Sequence, residues 1–384
     1  MPLRSPGHGL LCVVGARPNF MKIAPIMRAF QTTSPPLPAR LLHTGQHYDA
    51  SMNGQYFRAL GIPDPDINLD VGSGTHAVQT AEIMRRFEPV LESENPAAVL
   101  VVGDVNSTLA CALVASKKGV AVIHVEAGLR SYDRAMPEEI NRVLTDQISD
   151  LLFTTEPGAR ANLVREGIAD SRVHFVGNVM IDTLRYNEPR AVPAGQTLVQ
   201  HGAQPGWEKD GYAVLTLHRP SNVDDPGTLR ALLGAVAELG KRVPIAFPVH
   251  PRTRAKIEQH GLGAVFADRS LVMLPPLGYL EMLGLMRSAK IVLTDSGGIQ
   301  EETTALGVPC VTLRENTERP ITVEQGTNTV AGQDPARILA AADDVLRTGG
   351  KAGRIPELWD GRASQRIAGV LQGWLHGAEK RLVA

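Results

Sequence analysis

The sequence predicts an α/β protein made of two similar halves, each built on a parallel sheet. Short β-branched runs alternate with amphipathic segments along the chain, the pattern of βα units rather than of sandwiches or helical bundles. The length, 384 residues, exceeds what one compact core fills and fits two domains of ordinary size. Roughly residues 186 to 211 carry few apolar runs but hold Pro189, Pro193, Gly195, Gly202, Pro205 and Gly206, and read as the connection between the halves.

The first strand, 10–14, runs into Gly15-Ala16-Arg17-Pro18, and the second, 39–43, into Thr44-Gly45-Gln46-His47-Tyr48-Asp49. Residues 98–102 form a continuous apolar run, as a strand covered on both faces should. Gly103-Asp104 closes it, Asn106 or Ser107 is placed to cap the next helix, and Gly119 stops that helix. The run 120–125 is the following strand and ends at Glu126, with 151–155 a further one. Asp104 and Glu126 thus fall at the carboxyl ends of successive parallel strands, where open α/β sheets bind ligands. The second series has strands at 212–217, 243–249, 271–274, 291–294 and 308–313. A tail from 363 to 382 has helical apolar spacing at Ile367, Val370, Leu371, Trp374 and Leu375.

Composition excludes several classes. With 43% hydrophobic and 21% charged residues the chain is neither disordered nor a membrane bundle. Lys+Arg 39 against Asp+Glu 40 gives a formal charge of -1, so no global field draws it to nucleic acid or to an anionic membrane. Cys12, Cys111 and Cys310 are dispersed in apolar runs, which argues against a disulfide scaffold or a cysteine-rich zinc site. The apolar run 10–14 is short for a signal segment and no run reaches transmembrane length, so the expected location is cytoplasmic.

The strongest chemical signal is Thr294-Asp295-Ser296-Gly297-Gly298-Ile299-Gln300-Glu301-Glu302. A strand ends, two glycines turn the backbone and a helix begins, so exposed N–H groups and the positive dipole end suit a pyrophosphate. A glycine pair alone would read as steric. Arg314, Glu318 and Arg319 follow the next strand to the same sheet edge, and a guanidinium fork suits phosphate oxygens. Arg17, at a helix entrance, is an anion-binding candidate or a plain surface arginine; Lys22, one turn on, assists it or lies on a solvated face. Asp104, Glu126 and Glu138 are the acid/base candidates. Their plain alternatives are a helix cap for Asp104, a salt bridge to Arg130 for Glu126, and favourable helix-entrance charge for Glu138. His218 and His250 end strands and suit a phosphate, whereas His43, His124 and His174 lie in or beside apolar runs and read as satisfied core residues. No His-Glu-x-x-His, Gly-x-Gly-x-x-Gly or Walker A pattern occurs, so neither a metal, a nicotinamide cofactor nor ATP hydrolysis is expected. The residues alone give two α/β halves facing across a cleft, carboxylates on the first and an anion site on the second.

Ten ordered blocks then carry a resemblance. Gly15-Ala16-Arg17-Pro18, Gly45-Gln46-His47, Gly103-Asp104, His124-Val125-Glu126-Ala127-Gly128-Leu129-Arg130, Pro137-Glu138-Glu139-Ile140-Asn141-Arg142, Gly177-Asn178, Leu217-His218-Arg219, Pro248-Val249-His250-Pro251, 295–302 and Thr317-Glu318-Arg319-Pro320 resemble the signature blocks of the non-hydrolysing UDP-N-acetylglucosamine 2-epimerases. The resemblance implies the GT-B glycosyltransferase-like fold: two facing Rossmann-like domains, 1–185 and 186–362, with the active site in the cleft and a C-terminal helix, 363–384, packing back on the first. It implies UDP mainly on the second domain, with Ser296 and Gly297 at the pyrophosphate, Glu302 on ribose, and Arg17 and Arg319 near phosphate or sugar; Gly298, Lys22 and His250 join them as substrate-binding candidates on the reading of the residues alone. Asp104, Glu126 and Glu138 match the family's proposed catalytic carboxylates and His218 its phosphate-facing acid.

The chemistry so implied is loss of the C2 proton coupled to departure of UDP from C1, giving 2-acetamidoglucal, then protonation of C2 from the opposite face and re-addition of UDP. No cofactor or metal is called for. The partners implied are a UDP-N-acetylhexosamine and a second copy of the chain, without nucleic acid or membrane, in surface-polysaccharide precursor supply. Gln46 and His47 adjoin the second, activating UDP-sugar of some members; Tyr48-Asp49 and Pro220-Ser221-Asn222-Val223-Asp224 depart from the common pattern there and weigh against activation. Leu277 replaces a polar residue often found near uridine. A modified UDP-sugar or a hydrolysing relative is the alternative within the scaffold, and a UDP-sugar glycosyltransferase the alternative outside it, although sugar transfer needs no C2 base. A silent nucleotide-sugar-binding protein would leave the candidate acids idle.

Overall fold

The structure, a computed structural model, describes residues 9–45, 60–267 and 270–383. The chain divides into two compact units, Met1–Thr183 with Glu357–Ala384, and Leu184–Pro356. In the first, the strands are β1 (Leu10–Val14), β2 (Ala39–His43), β3 (Ile67–Asn68), β4 (Ala98–Val102), β5 (Ala121–Ala127), β6 (Leu151–Thr154) and β7 (Val173–Phe175). They form one parallel sheet in the order β3-β2-β1-β4-β5-β6-β7. Every residue of β1 and β4 is buried, as helices on both faces require. One face packs Leu11, Val13, Val99 and Val101 against Ile83, Phe87 and Leu91 of the helix His76–Glu94 and against Ala110, Cys111 and Val114 of the helix Asn106–Lys117.

The second unit holds β8 (Ala213–Thr216), β9 (Ile245–Pro248), β10 (Leu271–Leu274), β11 (Ile291–Thr294), β12 (Cys310–Thr312) and β13 (Asn328–Val330), parallel in the order β10-β9-β8-β11-β12-β13. Both sheets therefore reverse their winding once, between β1 and β4 and between β8 and β11. The loops leaving those strand pairs diverge to opposite faces, and the crevice they leave is the usual ligand position of a doubly wound sheet. Both units are Rossmann-like, as the sequence predicts.

Several details differ from expectation. The stretch 186–211 is no bare connection: it folds into the helices Ala194–Gln200 and Trp207–Asp210, and Ala194, Leu198 and Trp207 enter the core of the second unit beside Val214 and Leu285. Its prolines and glycines punctuate short helices rather than a linker. The strands β3, β7 and β13, of two or three residues, are too short to show a period in sequence. The helix after β4 is capped by neither Asn106 nor Ser107; Val105 is the N-cap, with no side-chain cap bond.

The last helix, Ala363–Val383, belongs to the first unit and packs on the helix Arg17–Thr32, and its Ala363, Ile367, Ala368 and Leu371, an apolar stripe at helical spacing, are buried. The Asp182 carboxylate accepts from Ala363 N at 3.0 Å, Ser364 N at 2.7 Å and Ser364 Oγ at 2.6 Å, which satisfies donors that a helix start leaves over. Trp359 is buried and donates from Nε1 to the Thr155 carbonyl at 3.0 Å. No helix among the described residues is long and apolar enough to cross a membrane.

Candidate active site

In the first unit the strand-end residues converge as the register requires, since β4 and β5 are hydrogen-bonded neighbours. Glu126 lies inside β5 rather than after it. The register shifts between Val125 and Ala127, and Glu126 takes φ +74°, a left-handed conformation that non-glycine residues adopt only when the surroundings impose it. Its carboxylate is buried and accepts from Lys22 Nζ at 2.7 Å. Lys22 is thus buried rather than on a solvated face, and Glu126 pairs with it and not with Arg130.

Lys22 passes over Gly103. A Cβ there would stand 2.7 Å from its ammonium and displace it, and the φ of +70° favours glycine at this position. Asn19 ties the two loops of the switch point together: Oδ1 accepts from Gly15 N and Ala16 N, both at 3.1 Å, and Nδ2 donates to the Val102 carbonyl at 2.9 Å.

Asp104 is partly exposed. Its Oδ2 accepts from Arg142 Nε at 3.0 Å and Nη2 at 2.8 Å, and its carbonyl from Asn141 Nδ2 at 2.9 Å. The helix Pro137–Ile148 carries Asn141 and Arg142, and Arg142 also pairs with Glu139. Glu139 is buried and accepts from Ser131 N at 3.0 Å and Tyr132 N at 2.9 Å, which holds the preceding loop. Glu138 is half-buried and makes no hydrogen bond or ion pair among the described residues. Arg17 opens its helix, and its side chain lies outside the described part; Gln46 and His47 lie outside the described residues altogether.

The second unit places its candidates around β8 and β11. Asp295, fully buried, is the hub. Its carboxylate lies 2.8 Å from His218 Nδ1 and accepts from His218 N at 2.9 Å, Arg219 N at 2.9 Å and Asn222 Nδ2 at 3.1 Å. Burial pushes its pKa up, but the hydrogen bond and charge of His218 and the two backbone N–H groups outweigh it and hold Asp295 below the usual aspartate value. A His–Asp pair of this kind fixes the ring plane with hydrogen on Nδ1, and Nε2 of the partly exposed His218 is then the nitrogen that can give a proton from the imidazolium or take one as the neutral ring. The ring of His250 stands 6.0 Å away, centre to centre, and its Nδ1 accepts from Arg252 N at 3.2 Å at the start of the helix Pro251–Gln259.

The helix Gly297–Leu306 begins with Ser296 as N-cap, without a side-chain cap bond. A Cβ on Gly297 would meet Glu318 Oε1 at 2.8 Å, so the glycine permits a close approach there. Glu318 is bracketed by Arg314 Nη1 at 2.7 Å and Arg219 Nη2 at 3.3 Å, and Arg319 Nε lies 2.7 Å from Glu301. The sequence-predicted guanidinium groups are therefore present at the helix entrance, each beside a carboxylate. Glu302 is buried and accepts from Tyr279 Oη at 2.9 Å; burial and then the Glu302 charge keep the Tyr279 phenol protonated well above its ordinary range. Leu277 is buried in the core cluster of Val214 and Leu285.

Sequence reasoning did not single out Asp295 as the partner of His218, nor Arg142 and Glu139. The first signal was available, since β8 and β11 were both recognised and their ends carry the two residues. The pairing needs the strand order.

Known proteins resemble this chain over most of its length. A UDP-N-acetylglucosamine 2-epimerase from Methanococcus maripaludis is 42% identical over 339 residues, 88% of this chain and 91% of the relative. A UDP-2,3-diacetamido-2,3-dideoxy-D-glucuronate 2-epimerase from Pseudomonas aeruginosa is 41% identical over 370 residues, 94% of this chain and 99% of the relative. Among solved structures, the UDP-GlcNAc 2-epimerase of Methanocaldococcus jannaschii, in complex with UDP-GlcNAc and UDP, superposes with TM-score 0.86 at 39% identity, covering 94% of this chain and 99% of that one. The family model for UDP-N-acetylglucosamine 2-epimerase matches residues 31–372, and on that span the chain belongs to the UDP-N-acetylglucosamine 2-epimerase family.

Proposed function

We propose that the protein interconverts UDP-N-acetylglucosamine and UDP-N-acetylmannosamine by eliminating UDP to 2-acetamidoglucal and adding it back. The observation that carries this is the pair Asp104 and Glu126 on adjacent strand ends, each held by its own cation, Arg142 and Lys22. A C2 epimerisation needs one carboxyl group to take the proton and another to return it, whereas sugar transfer to an acceptor needs neither.

In this reading the first unit contributes the carboxylates. The C2 proton passes to one of Asp104, Glu126 and Glu138 as the C1–O bond to UDP breaks and its electrons leave on the phosphate oxygen. A second carboxyl group protonates C2 on the opposite face, and the UDP oxygen reforms the bond at C1. The second unit receives UDP. The Ser296 hydroxyl and the backbone N–H groups of Gly297 and Gly298 face the pyrophosphate, Arg319, Arg17 and Lys22 supply positive charge, Glu302 with Tyr279 behind it meets the ribose, and His218, oriented by Asp295 beside His250, gives a proton to the departing phosphate. Gln46 and His47 stay as candidates for contact with a regulatory UDP-sugar, and a homodimer in solution belongs to the same reading.

Asp104→Asn and Glu126→Gln should each lower turnover of UDP-N-acetylglucosamine by about 10²-fold or more, the usual worth of a positioned acid or base. Near-normal turnover in both variants would overturn the assignment. The similarity to the Pseudomonas aeruginosa enzyme keeps a diacetamido uronate as the second substrate reading. Product analysis separates the cases: UDP-linked mannosamine supports the first reading, free N-acetylmannosamine with UDP marks hydrolysis, and turnover of the uronate alone selects the second.

A further inference from the structure

His124 is fully buried in β5 and both of its ring nitrogens are used. Nε2 lies 2.8 Å from the carbonyl oxygen of Gly103, and Nδ1 lies 2.7 Å from Asp146 Oδ1. Both partners present acceptors, so Nε2 is the donor to Gly103, and a hydrogen lies between Nδ1 and the carboxylate. The other oxygen of Asp146 accepts from Gly128 N at 3.1 Å and faces Arg130 Nη2 at 2.8 Å. Arg130 in turn makes a two-pronged pair with Glu166, at 2.8 and 2.6 Å. A core histidine needs no such chain. The chain ends on the peptide that precedes Asp104.

Gly103 is also held at its nitrogen, which donates to the Val125 carbonyl at 3.0 Å. The residue before Asp104 is therefore pinned to β5 at both backbone groups, once by main chain and once by His124. Asp104 itself is fixed at its carbonyl by Asn141 and at its carboxylate by Arg142. The glycine is in a left-handed conformation, at φ +70°, and the bond from His124 is the one that holds its carbonyl.

We propose that His124, aligned by Asp146, is a positioning residue that fixes the Gly103–Asp104 turn and so the direction of the Asp104 carboxylate. The inference rests on the reading of Asp104 as an acid or base. Among hydrogen-bonding side chains, histidine has the reach and two opposed ring donors to span from a helix carboxylate to a neighbouring strand's carbonyl inside the core. Loss of the Nε2 bond frees the turn, and a misplacement of order 1 Å at a reacting group costs about 10²-fold in rate.

The test compares His124→Leu, His124→Gln and Asp146→Asn with the wild type in steady-state kinetics on UDP-N-acetylglucosamine, with thermal midpoints measured in parallel. Glutamine keeps a donor at the Nε2 position. The expected result is a kcat loss of about 10²-fold in His124→Leu at nearly constant KM, most of it restored in His124→Gln even if both variants lose similar thermal stability, and an intermediate kcat for Asp146→Asn. Long-range nitrogen–proton NMR should show hydrogen on both ring nitrogens of wild-type His124. Wild-type kcat in His124→Leu, a kcat that follows the thermal midpoint without rescue by glutamine, or a bare Nε2 would overturn the inference while leaving the functional reading intact. If His124→Leu fails to fold, the ranking of His124→Gln above Asp146→Asn in kcat decides, and the reverse order refutes it. An inactive wild type would overturn the functional reading and this inference with it.

Discussion

His218 Nδ1 stands 2.8 Å from the buried Asp295 carboxylate, and the two residues follow β8 and β11, the strands between which the second sheet reverses its winding. The pairing gives a direct pH expectation. Because the folded pKa of Asp295 is depressed below 3.8, its share of stability is fully present above that value and is lost as pH falls through the lower folded value. Acid unfolding of the wild type should therefore carry a limb below pH about 3.8 that Asp295→Asn lacks. Asp295→Asn should also cut kcat by about 10²-fold, since the histidine loses the group that orients it. Acid titrations followed by circular dichroism, with matched steady-state assays, check both; an unchanged acid limb contradicts the first and an unchanged kcat the second.

Lys22 and Glu126 form a buried pair with side-chain exposures of 7% and 2%. Removing the ammonium takes the countercharge at 2.7 Å from a buried carboxylate, so Lys22→Met should destabilise the protein by about 3–5 kcal/mol. The double variant Lys22→Met/Glu126→Gln should recover part of that loss because no uncompensated charge remains. Differential scanning calorimetry of both single variants and the double variant reads the coupling, and a double variant whose loss equals the sum of the two single losses would show that the pair is not coupled.

The last helix returns to the first unit on one carboxylate and one indole. Asp182→Ala should cost about 1–2 kcal/mol, the value of a lost N-terminal cap. The loss should be local, and amide hydrogen exchange at Ala363 and Ser364 should accelerate more than exchange in β4. Uniform acceleration across the first unit would instead mean that this helix unfolds only with the whole sheet.

Strands were legible wherever apolar runs of four or more residues made a period, and so were their ends, which brought Asp104, Glu126, His218 and the turn at Ser296 into view. The fates of charged residues were not. Glu126 had Arg130 four residues away in sequence, yet its partner is Lys22 from another helix, because the bulge at Glu126 turns its carboxylate toward the helix after β1. His124 read as a satisfied core residue; it is satisfied, but by Asp146 and Gly103, 22 and 21 positions away, and only strand order brings them together. Arg142 and Glu139 hid for the same reason: a helix-start cluster of charges shows its spacing in sequence but not which strand end it faces.

The account turns on proton exchange at C2 of a UDP-linked sugar, and proton NMR in deuterium oxide reads that most directly. With UDP-N-acetylglucosamine as substrate, the account predicts UDP-N-acetylmannosamine carrying deuterium at C2, and deuterium appearing in the recovered substrate as the two interconvert. A product that retains the original C2 proton, or no turnover of the C2 position at all, would contradict it.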